Sequence, residues 1–191
     1  MISDAELRAI VEKVVQRTVR GPEERTESAP QPAAVQAPKA LPAGNTIALG
    51  ADHGGFKMKE MLKAHLAEAG YQITDCGTNS TDSVDYPDFA FAVAEQVALG
   101  KVWRGIIIDG AGIGSCMVAN KVRGVRAAMC YDHASAVNSR EHNDANVLTL
   151  GAGLIGDNLA RQIVDIWLKA EFGGGRHARR VDKITAIESK T

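Results

Sequence analysis

Residues 45–191 predict a three-layer αβα domain, an α/β fold in which a five-stranded parallel sheet carries helices on both faces. Two observations predict it. Beyond Asn45, short apolar runs of strand length alternate strictly with longer amphipathic stretches, and the connections between them are brief. Such alternation joins parallel strands through right-handed crossovers, which bury both faces of the sheet. An amphipathic helix over 1–20 and a Pro/Ala-rich linker over 21–44 precede this domain.

In chain order, Ser3 and Glu6 form a capping box ahead of Leu7, Ile10, Val11, Val14, Val15 and Thr18, an apolar stripe at three- and four-residue spacing. A helix of this length cannot bury its stripe alone. It either folds back on its own domain, frays as an extension, or docks on a partner. The stretch GPEERTESAPQPAAVQAPKALPAG has the composition of an extended, poorly ordered tether. There follow strand 46–50, helix 55–69, strand 71–75, helix 87–99, strand 103–109, helix 114–121, strand 125–130, helix 132–141, strand 146–150 and helix 156–171.

The composition excludes several classes of function. A length of 191 residues, with 45% hydrophobic and 24% charged residues, suits one domain plus an appendage. A net charge of -1 supplies no global field for nucleic acid. Cys76, Cys116 and Cys130 are odd in number and lack CxxC spacing, against a disulfide framework or a zinc knuckle and in keeping with a reducing compartment. No apolar run reaches the ~18 residues of a membrane span. The N-terminus also lacks the apolar core of a secretory signal, so a soluble, cytoplasmic protein with no membrane partner is expected.

In open parallel sheets, ligands lie beyond the carboxyl ends of the strands. Strand one ends in Ala51-Asp52-His53-Gly54-Gly55, which sets a carboxylate and an imidazole before a helix. Asp52 could equally be a helix cap. Strand three runs through Asp109 into Gly110-Ala111-Gly112-Ile113-Gly114-Ser115, whose glycines let backbone amides turn toward an anion or oxyanion. Asp132, about twenty residues on, could suggest a dinucleotide loop. However, the spacing is GxGxG rather than GxGxxG, and the loop follows an inner strand. Arg176, His177, Arg179 and Arg180 form a basic cluster after three glycines, read either as a solvated tail or as a bidentate phosphate grip. Cys116 is better read as a packed apolar side chain than as a thiol base. Cys76 and Cys130 look structural, His65 looks like a surface or packing residue, and His133 is ambiguous.

Together, ADHGGF, CGTNSTDSVDYPDFA, GAGIGSCMVANKVRGVRA, SREHNDANVLTLG and GGRHARRV, in this order and separation, resemble the ribose-5-phosphate isomerase B and galactose-6-phosphate isomerase family over about residues 45–188. The resemblance implies a flavodoxin-like (Rossmann-like) sheet, a homodimer or homotetramer with an active site shared between subunits, and no metal or organic cofactor. It implies an aldose-ketose isomerase of a small phosphorylated sugar acting through a cis-enediolate. Asp52 and His53 would hold the sugar and phosphate, Tyr86 would line the pocket, and Gly110, Ala111, Gly112, Ile113 and Gly114 would form the anion hole. His142 and Asn143 would handle ring opening and the hydroxyls, and Arg176 and Arg180 would bind phosphate.

The chain departs from the family pattern at four places. Asp109 stands where many members have a cysteine base, Ala111 where a Thr or Ser is usual, Gly153 where an arginine contacts phosphate, and Ser115 where another branch has a glutamate base. A carboxylate can enolise a sugar, so Asp109 is the leading base, with Asp52 and His142 completing the catalytic set. Its alternative role is to orient backbone amides. The same departures allow a catalytically weak sugar-phosphate-binding or partner subunit. The helix and linker resemble the encapsulation peptides that recruit enzymes into bacterial microcompartments, which implies docking on a shell or cargo protein through residues 3–20.

Overall fold

The computed structural model describes residues 44–190. The helix expected over 1–20, and all but the last residue of the linker expected over 21–44, lie outside the described residues. The elements are β1 (Thr46–Ala51), α1 (Phe56–Glu68), β2 (Gln72–Asp75), α2 (Tyr86–Ala98), β3 (Arg104–Asp109) and α3 (Ile113–Ala119). They continue with β4 (Ala127–Met129), α4 (His133–Glu141), β5 (Val147–Gly151), α5 (Asp157–Lys169), α6 (Ala178–Thr185) and a 3-10 turn at Ala186–Ser189.

All five strands are parallel, in the order β2-β1-β3-β5-β4. The sequential order of flavodoxin-like sheets is thus kept for the first three strands, and the last two are exchanged. Burial accounts for the exchange. β5 is buried at every position and takes the inner place, whereas the three residues of β4 are only half-buried and form the edge. A short strand is a common way to blunt a sheet edge.

Successive strand residues face opposite layers. Ile47, Leu49, Ile106, Ile108, Leu148 and Leu150 pack with Leu62 and Leu66 of α1 and with Ile163 and Trp167 of α5. Ala48 and Ile107 turn to the other face, against Val93, Ala94 and Val97 of α2. That second layer sits close because the sheet is bare beneath it. A Cβ on Gly50 or Gly105 would stand 2.5 or 2.7 Å from the Val93 side chain.

Two polar side-chain contacts anchor α1. Lys59, almost wholly buried, donates to both oxygens of Asp75 at the end of β2, at 2.8 and 2.7 Å. His65 meets Asp165 of α5 at 2.7 Å, so it is a packing residue at the α1–α5 seam. At the other end of the sheet the Arg104 guanidinium donates to the Trp167 and Leu168 carbonyls at 2.8 and 3.0 Å, capping the C-terminus of α5. Burial, with Arg140 nearby, lowers the pKa of Arg104 to about 9.

The entry to α1 is the tightest contact near the carboxyl edge. A Cβ on Gly55 would lie 2.3 Å from the Ile108 carbonyl oxygen, against backbone that cannot yield cheaply. Gly55→Ala is expected to cost about 1–3 kcal/mol through overpacking, read as a lowered urea midpoint with an unchanged slope.

Candidate active site

The strand order reverses between β1 and β3, which opens a crevice at their carboxyl ends. Asp52 leaves β1 there and is 7% exposed. Its Oδ1 accepts from the Gly55 amide at 2.9 Å, and its Oδ2 has no partner among the described residues. Across the crevice, the Gly54 backbone approaches the Gly110 amide: a Cβ on Gly54 would lie 3.6 Å from that nitrogen. His53 is exposed, and its Nδ1 sits 3.1 Å from the Val84 carbonyl oxygen and 3.2 Å from the Val84 amide, so the imidazole is tied to the segment leading into α2.

Asp109 ends β3 and is buried. Its Oδ1 accepts from the Ala111 amide at 2.8 Å and from the Gly112 amide, while Oδ2 accepts from the Ser115 amide at 3.1 Å and the Ser115 hydroxyl at 2.5 Å. A carboxylate offers about four lone-pair sites, and these donors fill them. The sequence reading makes Asp109 the leading base, but the structure gives its carboxylate the alternative role of orienting the loop. In this arrangement it has no acceptor site left for a substrate proton.

The loop carbonyls are held as firmly. Gly110 O accepts from the Gly153 amide, Ala111 O from the Tyr131 hydroxyl and Gly112 O from the Thr149 hydroxyl, each at 2.9 Å. Gly112 adopts φ +77°, and its Cα faces the Leu150 backbone, where a Cβ would come within 2.9 Å. Once these groups are paired, the Ile113 and Gly114 amides at the start of α3 have no acceptor among the described residues. The Tyr86 ring lies against Gly114, where a Cβ would meet it at 2.5 Å, so only glycine lets the ring lie there. Gly153 is packed too, since a Cβ there would reach 2.9 Å from Gly110 O.

The remaining candidates gather elsewhere. α4 descends from the carboxyl edge, and His142 and Asn143 follow its end just before β5 begins, at the amino edge of the sheet. The glycine-rich turn joins them there, with the Gly173 amide donating to Glu141 O at 2.9 Å. Gly174 and Gly175 have φ of +58° and +52°, which turns the chain so that the His177 ring stacks on His142 at 4.2 Å between centroids. Arg176 precedes His177, and Arg180 lies one turn into α6, both exposed. Strands of this length rise about 15–20 Å. One chain therefore brings Asp52, His53, Tyr86 and Gly110–Gly114 together, and separately His142, Asn143, Arg176 and Arg180, but not the two groups with each other.

A family model described as Ribose/Galactose Isomerase matches residues 47–184. The chain belongs to that family. In this ribose/galactose isomerase family member, 144 residues are 49% identical to ribose-5-phosphate isomerase B of Escherichia coli, spanning 75% of the chain and 97% of that protein. The D-erythrulose-4-phosphate isomerase of Pectobacterium atrosepticum is 44% identical over 144 residues, 75% of the chain and 95% of that protein. Among solved structures, ribose-5-phosphate isomerase B of Clostridium thermocellum matches with a TM-score of 0.75 and 53% identity, covering 76% of the chain and 98% of that protein.

Other candidates resolve into structural roles. Asp132 caps α4 in a capping box with Ser135, whose amide it accepts at 2.7 Å; these hydrogen bonds hold its carboxyl below the usual range. Burial pushes the thiols of Cys76, Cys116 and Cys130 up, away from the thiolate form a base requires. The sequence reading missed Tyr131 and Thr149, and it named Ser115 without its hydrogen bonds to Asp109. Ser115, six residues after Asp109, closes the glycine run, and Thr149 lies within the SREHNDANVLTLG motif; Tyr131 lies outside every motif.

In Asp109→Asn, the amide nitrogen must face a donor in either orientation. Loop stability is expected to fall by about 1–3 kcal/mol, with faster hydrogen exchange at Ala111, Gly112 and Ser115. Unchanged exchange at those amides would remove Asp109 from this role.

Proposed function

We propose that this sugar-phosphate isomerase interconverts an aldose phosphate and its ketose through a cis-enediolate, with ribose 5-phosphate and ribulose 5-phosphate the first pair to test. One observation carries the reading: Asp52, a carboxylate with one oxygen unpartnered among the described residues, shares a crevice with two helix-start amides of a glycine loop that likewise have no partner among them. Enolisation needs those two elements, a base and a preorganised oxyanion site.

Asp52, rather than Asp109, takes the proton from C2 of the open-chain aldose. The C–H electron pair forms the C1–C2 double bond, and the former carbonyl oxygen on C1 takes up the charge beside the Ile113 and Gly114 amides. The O2 hydroxyl proton passes to O1, which leaves the charge on O2; as O2 becomes the carbonyl oxygen, the protonated Asp52 returns its proton to C1 and completes the ketose. Opening the sugar ring requires a proton donor for the ring oxygen, and His142 serves. Arg176 and Arg180 grip the phosphate bidentately. Gly153 brings no side chain to that grip, so the tail guanidinium groups carry it.

The two groups of residues lie at opposite edges of the sheet, so a complete site takes one from each of two copies of the chain in a homodimer or a larger homo-oligomer. The similarity to both a ribose-5-phosphate and an erythrulose-4-phosphate isomerase supports a short sugar phosphate as substrate. For residues 3–20 the sequence pattern supports docking on a microcompartment shell or cargo protein, with the cytoplasm or such a compartment as the place of action.

Subunit mixing tests the shared site. Asp52→Asn alone is expected to lose about 10²–10⁴-fold in turnover, and Arg180→Ala alone to lose activity at subsaturating ribose 5-phosphate. Mixed and reassembled as a twofold pair, they should recover about a quarter of wild-type activity, since half the pairs are hybrids with one intact site. No recovery overturns the shared site. Wild-type protein that binds ribose 5-phosphate and galactose 6-phosphate but converts neither sugar, nor any tetrose phosphate, would instead be a binding or partner subunit.

Deletion of residues 1–40 should leave turnover and oligomer unchanged while abolishing co-sedimentation with shell assemblies. Retained co-sedimentation ends the docking proposal.

A further inference from the structure

The stacked pair His142–His177 has a third neighbour that neither the sequence motifs nor the reaction scheme uses. Asn138 lies four residues before His142, one turn earlier on α4, so their side chains share a face. Its Nδ2 lies 2.8 Å from Nδ1 of His142. The orientation of this amide follows from the groups behind it. The Asn143 Nδ2 lies 3.3 Å from the Asn138 backbone carbonyl, which can only accept, and this fixes the Asn143 amide with its nitrogen inward. The same nitrogen lies 3.4 Å from Oδ1 of Asn138, so the Asn138 oxygen faces Asn143 and its nitrogen faces the imidazole. A donor therefore points at Nδ1 of His142.

We infer that Asn138 is a positioning residue that holds neutral His142 as the Nε2–H tautomer, with its proton on the outward nitrogen where a sugar ring oxygen can receive it. This rests on the proton-donating role proposed above for His142. The tautomer is set by the partner of the other nitrogen. With Nδ1 accepting from Asn138, only Nε2 can carry the proton of the neutral ring. Stacking fixes the plane of the ring as well: His177 lies parallel to within 5° at 4.2 Å. Desolvation, followed by the neighbouring His142, Arg176 and Arg180, holds the His177 imidazole below the usual histidine range. The Arg176 Nε lies 3.4 Å from Nε2 of His177 and donates toward it.

The test uses the full chain with 15N-labelled histidine. Long-range 1H–15N spectra are recorded above the imidazole titration, and the His142 signals are assigned by their loss in His142→Gln. Wild type is expected to show a protonated Nε2 and a bare Nδ1. In Asn138→Asp, a carboxylate that can only accept should move the proton to Nδ1, and kcat on ribose 5-phosphate should fall at least about tenfold with KM little changed. Asn138→Leu, which removes the donor without supplying an acceptor, should give a mixture of tautomers and a smaller loss. Asn138 is exposed on α4, so these variants leave the core untouched. A protonated Nδ1 in wild type, or an unchanged pattern in Asn138→Asp, overturns the inference. If the tautomer shifts as expected but wild type converts no sugar phosphate, the positioning role stands and the isomerase reading fails.

Discussion

The hydrogen bonds that Asp109 accepts are the constraint on which the crevice depends. One buried carboxylate gathers the Ala111, Gly112 and Ser115 amides and the Ser115 hydroxyl. A loop with three glycines in five positions has large conformational freedom to lose. The carboxylate, Tyr131, Thr149 and the Gly153 amide together restrict it to one path across the end of β5. Among the described residues, that path leaves the Ile113 and Gly114 amides uncommitted, the condition the proposed oxyanion site requires. An amide that must first break a bond to the protein would stabilise a charge less well.

The exchange of the last two strands has a consequence for the site. Because β5 lies beside β3, its end runs under the glycine loop and supplies the Gly151 and Gly153 backbone on which the loop rests. A Cβ on Gly151 would meet the Ala111 carbonyl oxygen at 2.6 Å. The glycines of two separate segments are therefore coupled by close approach. With β4 in that place, only its three-residue run would face the loop.

Much of the fold was legible because hydrophobic periodicity reports burial directly. The strands and helices beyond Asn45 fall within about two residues of where the alternation puts them, the usual uncertainty of element ends. α6 was not, because Ala178–Thr185 buries only Val181 and reads as a charged tail. The β5–β4 order was also hidden, although the unbroken burial of Val147–Gly151 beside the short Ala127–Met129 run is its physical cause. For the candidate site, the motifs mark segments that lie at the two edges of the sheet. They did not reveal that Asp109 is saturated by the loop or that Asn138 faces His142, because hydrogen-bond partners depend on how the backbone returns on itself.

By itself, the sequence determined the layered parallel architecture, the glycine loop after β3 and the resemblance to the ribose/galactose isomerases. All of these follow from local pattern and from motif order. Only the tertiary structure decided what each polar group is free to do. It committed the Asp109 oxygens, left Asp52 Oδ2 without a partner among the described residues, and placed His142 and the arginines at the opposite edge of the sheet from the crevice. The physical reason is that a carboxylate's role is set by the donors around it, and those donors come from segments that meet only when the sheet has closed.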